Sequence, residues 1–307
     1  GNMFTSTSGT SNFRAGVNAG DAIASGGNFN TVVGDEAGTA ITTGDGNSFF
    51  GKGAGALTVT TSYNVGIGDG ALGANVATGN TAVGSAAMTS TTSGSKNVAI
   101  GLEAGRFLTT GSNSVFVGYE SGKGIDGTKL TGGDNVAVGY RAGYLLQGTA
   151  SRNTIVGYTA ADALTAGDQN TVMGYDALGA GVASFYNTAF GTGALRADTT
   201  GRHSVAVGIS ALYSQNNTGS ASMFNTAVGS GAGFSVSTGT HSTYIGGNAG
   251  YFNTTADNST FVGFKAGYGV DGTPCTGNGN TAIGKDAGLL LQGTANSNTI
   301  IGERAGD

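Results

Sequence analysis

A glycine preceded by a short apolar run recurs seventeen times along the 307-residue chain, most often at an interval of 17 residues. The series runs Gly16, Gly34, Gly51, Gly68, Gly84, Gly101, Gly118 and Gly139, then Gly157, Gly174, Gly191, Gly208, Gly229, Gly246, Gly263, Gly284 and Gly302. Three intervals lengthen to 18, three to 21, and one shortens to 16. Seventeen residues are too few for two packed helices of ordinary length, and a chain with 60 glycines opposes helix. Two short strands and two turns fit the period. Each repeat is therefore expected to form one coil of an all-β parallel β-solenoid of about 17 coils.

The unit reads Asn-Thr-x-Val-Gly-x-x-Ala-Gly followed by a variable stretch. Asn stands four before the anchor glycine in thirteen copies, and Ser114, Ser204, Ser242 and Ser259 replace it in the others. Asn tolerates the left-handed conformation and bonds to nearby backbone, so a stacked Asn ladder at a coil corner is expected. Ala follows the anchor by three in sixteen copies, with Ser121 as the exception. The array covers residues 1–307 as one domain. Residues 122–157 align with 267–302 at an offset of 145, an eight-coil super-repeat that block duplication of an open array explains. Both ends stop without a capping sequence, which suggests a fragment of a longer fibre.

The strand before each anchor is apolar on both sides. The position immediately before the glycine is apolar in every copy, and alternation places the position three before, mostly Thr or Val, on the same side. That side is assigned to the coil interior. The opposite side then carries Phe49, Ala82, Ala99, Phe116, Ala137, Ile155, Val172, Ala189, Tyr244, Phe261, Ala282 and Ile300, with Arg14 the one charge. A continuous apolar stripe exceeds what a monomer normally exposes, so these twelve residues are expected to form an interface between identical chains. The small-residue strip of anchor Gly, Ala and Gly invites close approach of chains around an axis. A homotrimer follows most simply, with a dimer as the alternative.

Lines such as NTAVGSAAM (80–88), NVAIGLEAG (97–105) and NTAIGKDAG (280–288) resemble the head repeats of YadA-like trimeric autotransporter adhesins. ISALYSQNNTG (209–219) is similar to repeats in phage tail fibres and bacterial surface fibres. The resemblance covers essentially the whole chain. It implies a left-handed parallel β-roll, trimeric, intertwined or side by side, within an elongated adhesive fibre. It also implies an extracellular location, on an outer-membrane fibre or a virion tail fibre, and no catalytic residues.

Composition narrows the function classes. Net charge is −5 and no basic cluster forms, which argues against nucleic-acid binding. No apolar run reaches the length of a membrane span. No catalytic residue, metal site or cofactor is expected. His203 and His241 occupy equivalent places before a Ser and lack a third ligand, so they are assigned to coil corners. Cys275 is alone and has no assigned His partner. Asp35, Glu36, Glu103, Glu120, Asp176 and Asp286 follow the anchor by one or two and are assigned to a solvated rim.

Recognition is expected in the three long coils, because insertions in repeat folds map to surface loops. Candidate ligand contacts are Asp126, Thr128 and Lys129, then Tyr213, Asn216 and Asn217, then Asp271 and Thr273. Tyr and polar amides suit glycan contact, so cell-surface glycans or envelope components are the expected partners. Two other classes compete. An ice-binding solenoid needs an exposed Thr array, and the Thr row assigned to the interior does not provide one. A polysaccharide-degrading tailspike needs two carboxylates facing one cleft.

Overall fold

The computed structural model describes residues 7–216, 219 and 222–306. It is all-β, with no helix among the described residues. Seventeen repeats supply seventeen three-residue strands, one per coil of a parallel β-solenoid. Two compact units divide between Arg152 and Asn153. The first carries β1 (Phe13–Ala15) to β8 (Val136–Val138), and the second β9 (Thr154–Val156) to β17 (Thr299–Ile301). Within each unit successive strands pair in parallel and in repeat register, as Thr81 with Val98 and Val98 with Val115, or Thr171 with Thr188 and Thr188 with Val205.

The sequence suggests two strands per coil, but only one forms. The remainder of each coil bonds to its neighbours through turns and isolated bridges, such as Leu108 with Leu130 and Phe185 with Arg202. The reason is conformational. A coil such as the one anchored at Gly84 places Ala86, Met88 and Lys96 at φ of 54°, 47° and 58°, and left-handed residues interrupt an extended run.

The Asn ladder is present and buried. Asn30 Oδ1 accepts from the backbone N–H of Asn47 at 2.9 Å and from its Nδ2 at 3.0 Å. Asn47 Oδ1 then accepts from the backbone N–H of Asn64 at 3.0 Å, and Asn47 Nδ2 donates to the Thr61 carbonyl at 2.9 Å. In the second unit Asn170 and Asn187 repeat the pattern, and Ser204 N–H continues it by donating to Asn187 Oδ1 at 2.9 Å. Each amide thus satisfies a buried backbone donor of the next coil, which would otherwise cost about 1–3 kcal/mol.

The anchor glycines serve the stack of coils. Gly51 has φ of 132°, and a Cβ there would sit 2.5 Å from the carbonyl oxygen of Gly68, the next anchor. An approach between successive coils of one chain is therefore enough to require glycine here.

The strand faces are the reverse of the sequence assignment. Phe49, Ala82, Ala99, Phe116, Ala137, Ile155, Val172, Ala189, Tyr244, Phe261 and Ala282, expected at an intermolecular interface, are all 0% exposed within their own coils. Ile300, in β17, is half-buried. The eleven fully buried side chains have no surface to offer a partner, and the Ala three after the anchor, as in Ala87, Ala104 and Ala177, is buried with them. The rows before the glycine and three before it face outward instead. A coil this narrow accepts one side chain from the middle of a three-residue strand, not the two that flank it.

Candidate functional site

Two surfaces follow from this geometry. The first is the outward strand face. In the first unit Phe50, Ile67 and Ile100 are 41%, 41% and 43% exposed, and Met173, Phe190, Val207, Val228 and Ile245 repeat this exposure in the second. The flanking row is Thr or Val except at Phe13 and Ser48, and half-buried in most coils, as Thr81, Val98, Thr188 and Val205. Each unit therefore shows two parallel rows, one apolar and one mixed, at strand spacing.

The second surface lies on the turns. In the second unit the rings of Tyr213, Phe234, Tyr251 and Tyr268 stack in sequence at 5.0, 4.8 and 5.4 Å. Tyr158 and Tyr175 form a separate stack at 5.6 Å. His203 and His241 belong to a third, Tyr186–His203–Phe224–His241, with centroids 4.9, 5.0 and 5.3 Å apart. Both histidines have left-handed φ and are exposed corner residues. Among the described residues no group of three or more His, Cys, Asp or Glu side chains could hold a metal ion.

In the first unit Glu103 and Glu120 belong to a charge ladder, where the sequence suggests a freely solvated rim. Lys123 Nζ bridges Glu103 at 2.5 Å and Glu120 at 2.6 Å, and Arg106 and Arg141 add a cation at either end. Burial alone would raise the Glu103 carboxyl, but Lys123 and Arg106 outweigh it and hold the group below its usual range. Asp176 in the second unit is paired with Arg196.

The first and third long coils bulge outward and then return. Asp126, Thr128 and Lys129 are exposed on a turn closed by the Thr128 N–H donating to the Ile125 carbonyl at 3.3 Å. Asp271 and Thr273 are exposed in the equivalent loop, where Thr273 Oγ1 donates to Gln292 Oε1 at 2.8 Å. Leu130, Met223 and Cys275 bring the long coils back into the core, each 0% exposed. Cys275 lies 145 residues after Leu130, at the same super-repeat position, and acts as a small apolar filler. Burial pushes its thiol above the ordinary value, away from the thiolate a nucleophile needs.

The middle long coil contributes to a concave site. Tyr213 and Asn216 line two adjoining hollows of about 290 and 400 Å³, with Asp176 and Arg196 common to both. Asn217 lies outside the described residues. Arg196 Nη1 donates to Tyr213 Oη at 3.0 Å, and its guanidinium lies 5.6 Å from the Tyr213 ring centroid. Thr199 Oγ1 donates to Asn216 Oδ1 at 2.8 Å on the other flank. Sequence reasoning found Tyr213 and Asn216, placed Asp176 on the rim and missed Arg196. The signal for Arg196 was present, since it occupies the repeat position that holds aromatics in the four following coils. Comparison of the chain with family models, with curated proteins and with solved structures returns no match.

Proposed function

We propose that the chain is a structural segment of a homotrimeric adhesive fibre, extracellular, on a cell surface or a virion tail, that contributes to recognition of cell-surface glycans. One observation carries this reading. The outward strand face of each unit presents an uninterrupted apolar row at β spacing, and monomers rarely expose contiguous apolar patches beyond a few hundred Å². An identical chain has the same rung spacing and can cover such a row coil by coil, within closed symmetry. The interface then consists of Phe50, Ile67, Ile100, Met173, Phe190 and their equivalents, with the Thr and Val row beside them. Hydrolysis is no part of the reading, because the hollow at Arg196 offers one carboxylate, Asp176, already engaged by that arginine. Light scattering tests the proposal: a mass of three chains is expected, and a stable monomer would end it.

One observation favours a second reading, ice binding. The Thr row lies on the outward face and not in the interior where the sequence assignment placed it. Its neighbour row mixes Phe50, Met173 and Phe190 with Val and Ile, which roughens a surface that would have to match a lattice. Thermal hysteresis from a monomeric sample would favour this reading over the fibre.

A further inference from the structure

Two aromatic stacks in the second unit end on the same coil. The stack Tyr158–Tyr175 stops at the coil anchored at Gly191, where the equivalent residue is Thr192. The stack that begins at Tyr213 stops there from the other side, where the equivalent residue is Arg196. The two terminal rings belong to coils two apart, about 10 Å at the ordinary strand spacing. The intervening coil contributes Gly193, whose absent Cβ would lie 3.3 Å from Tyr213 Cε2. Thr192 and Ser210 supply small side chains beside it. The result is the hollow of about 290 Å³ between Tyr175 and Tyr213.

We infer that this notch binds a neutral pyranose of a glycan chain. A pyranose has an apolar C–H face and a rim of hydroxyls that both donate and accept. The notch offers the matching groups: aromatic surface from Tyr175 and Tyr213, a carboxylate acceptor in Asp176, and guanidinium donors in Arg196. Arg196 and Asp176 neutralise each other, so an acidic sugar would have to compete with an existing charge-assisted bond. Such a site is weak singly and gains strength when several copies face one polysaccharide. The inference rests on the adhesive reading for its biological setting, but the notch is built from one chain alone.

The test uses the full chain and a panel of methyl glucoside, methyl galactoside, methyl mannoside and N-acetylglucosamine, with N-acetylneuraminic acid as the charged comparison. Binding is followed by saturation-transfer NMR and titration calorimetry. At least one neutral pyranoside should bind. Tyr213→Ala should weaken it by about tenfold, the value of one aromatic contact. Thr192→Tyr, which extends the Tyr158–Tyr175 stack into the notch, should abolish it while the denaturation midpoint stays unchanged. Tyr119→Ala, in the first unit, should have no effect. Failure of all neutral pyranosides to bind, binding of N-acetylneuraminic acid alone, or binding indifferent to both notch variants would each overturn the inference. Light scattering on the same sample separates the two proposals: a monomer that binds removes the trimer and keeps the notch, and a trimer that binds nothing does the reverse.

Discussion

A Cβ placed on Gly55 would lie 2.6 Å from Cδ2 of Phe49, the core residue six positions earlier. The same offset joins Phe116 to Gly122, Tyr244 to Gly250 and Phe261 to Gly267. In four of the eight coils whose mid-strand residue is Gly or Ala the partner is large: Gly66 with Leu72, Ala82 with Met88, Ala189 with Leu195 and Ala206 with Leu212; in the other four both are small, and at Gly105 a Cβ would instead meet Phe116 and Met88 of the neighbouring coils. The two positions therefore share one interior volume. Phe49→Ala alone should cost about 3–5 kcal/mol through the cavity it leaves. Gly55→Leu alone should cost about 1–3 kcal/mol by overpacking. The double variant should recover most of both losses, because Leu72 already adopts a φ of 55° at the equivalent place where Gly55 has 60°. Urea denaturation of the four proteins gives the coupling, and additive losses would refute a shared volume.

Two neighbouring glycines should respond differently to the same change. Gly51→Ala meets the Gly68 carbonyl and a φ of 132°, so it should cost several kcal/mol, above about 4. Gly53 has φ of 62°, and a Cβ there would meet nothing within 4 Å, so Gly53→Ala should cost only the left-handed penalty of about 1–2 kcal/mol. Denaturation midpoints check the ordering.

Charge on the two faces of one strand separates assembly from folding. Ile100→Lys places an ammonium on the outward row and should dissociate the proposed trimer into folded chains with unchanged circular dichroism. Ala99→Lys forces a cation into a site with 0% exposure and should unfold its coil. Light scattering and circular dichroism on both variants report the two effects separately.

Two carboxylates should give opposite pH dependences. Asp198 is buried, accepting from Gln215 Nε2 at 2.7 Å and from the Gly201 N–H at 2.7 Å, and burial pushes its carboxyl up despite these bonds. The folded state then holds the proton more tightly. Its stability contribution is full below the unfolded value of about 3.9 and is lost as pH rises through the folded value. Glu103 is held low, so its contribution is present above the unfolded value of about 4.3 and is lost as pH falls through the folded one. Asp198→Asn should remove the decline on the alkaline side of this window, and Glu103→Gln the decline on the acid side. Stability measured across the acid range in each variant decides both signs.

Period, solenoid, the recurrence of the anchor glycines and the Asn ladder are all legible in the amino-acid sequence. Each of these depends on chemistry repeated within one coil: a backbone conformation that only glycine adopts freely, or an amide bonding to its own equivalent in the next coil. That Tyr213 and Asn216 lie at the surface beside a long coil was legible because an insertion marks a surface loop. Which side of the strand faces inward is settled by the folded coil and not by the residue pattern. A three-residue strand apolar on both sides carries no alternation, and the answer lies in the width of the coil, which the Phe49–Gly55 and Ala82–Met88 pairs set together. The notch was equally hidden, since Tyr175, Arg196 and Tyr213 come from three coils and meet only because stacking brings equivalent positions into line.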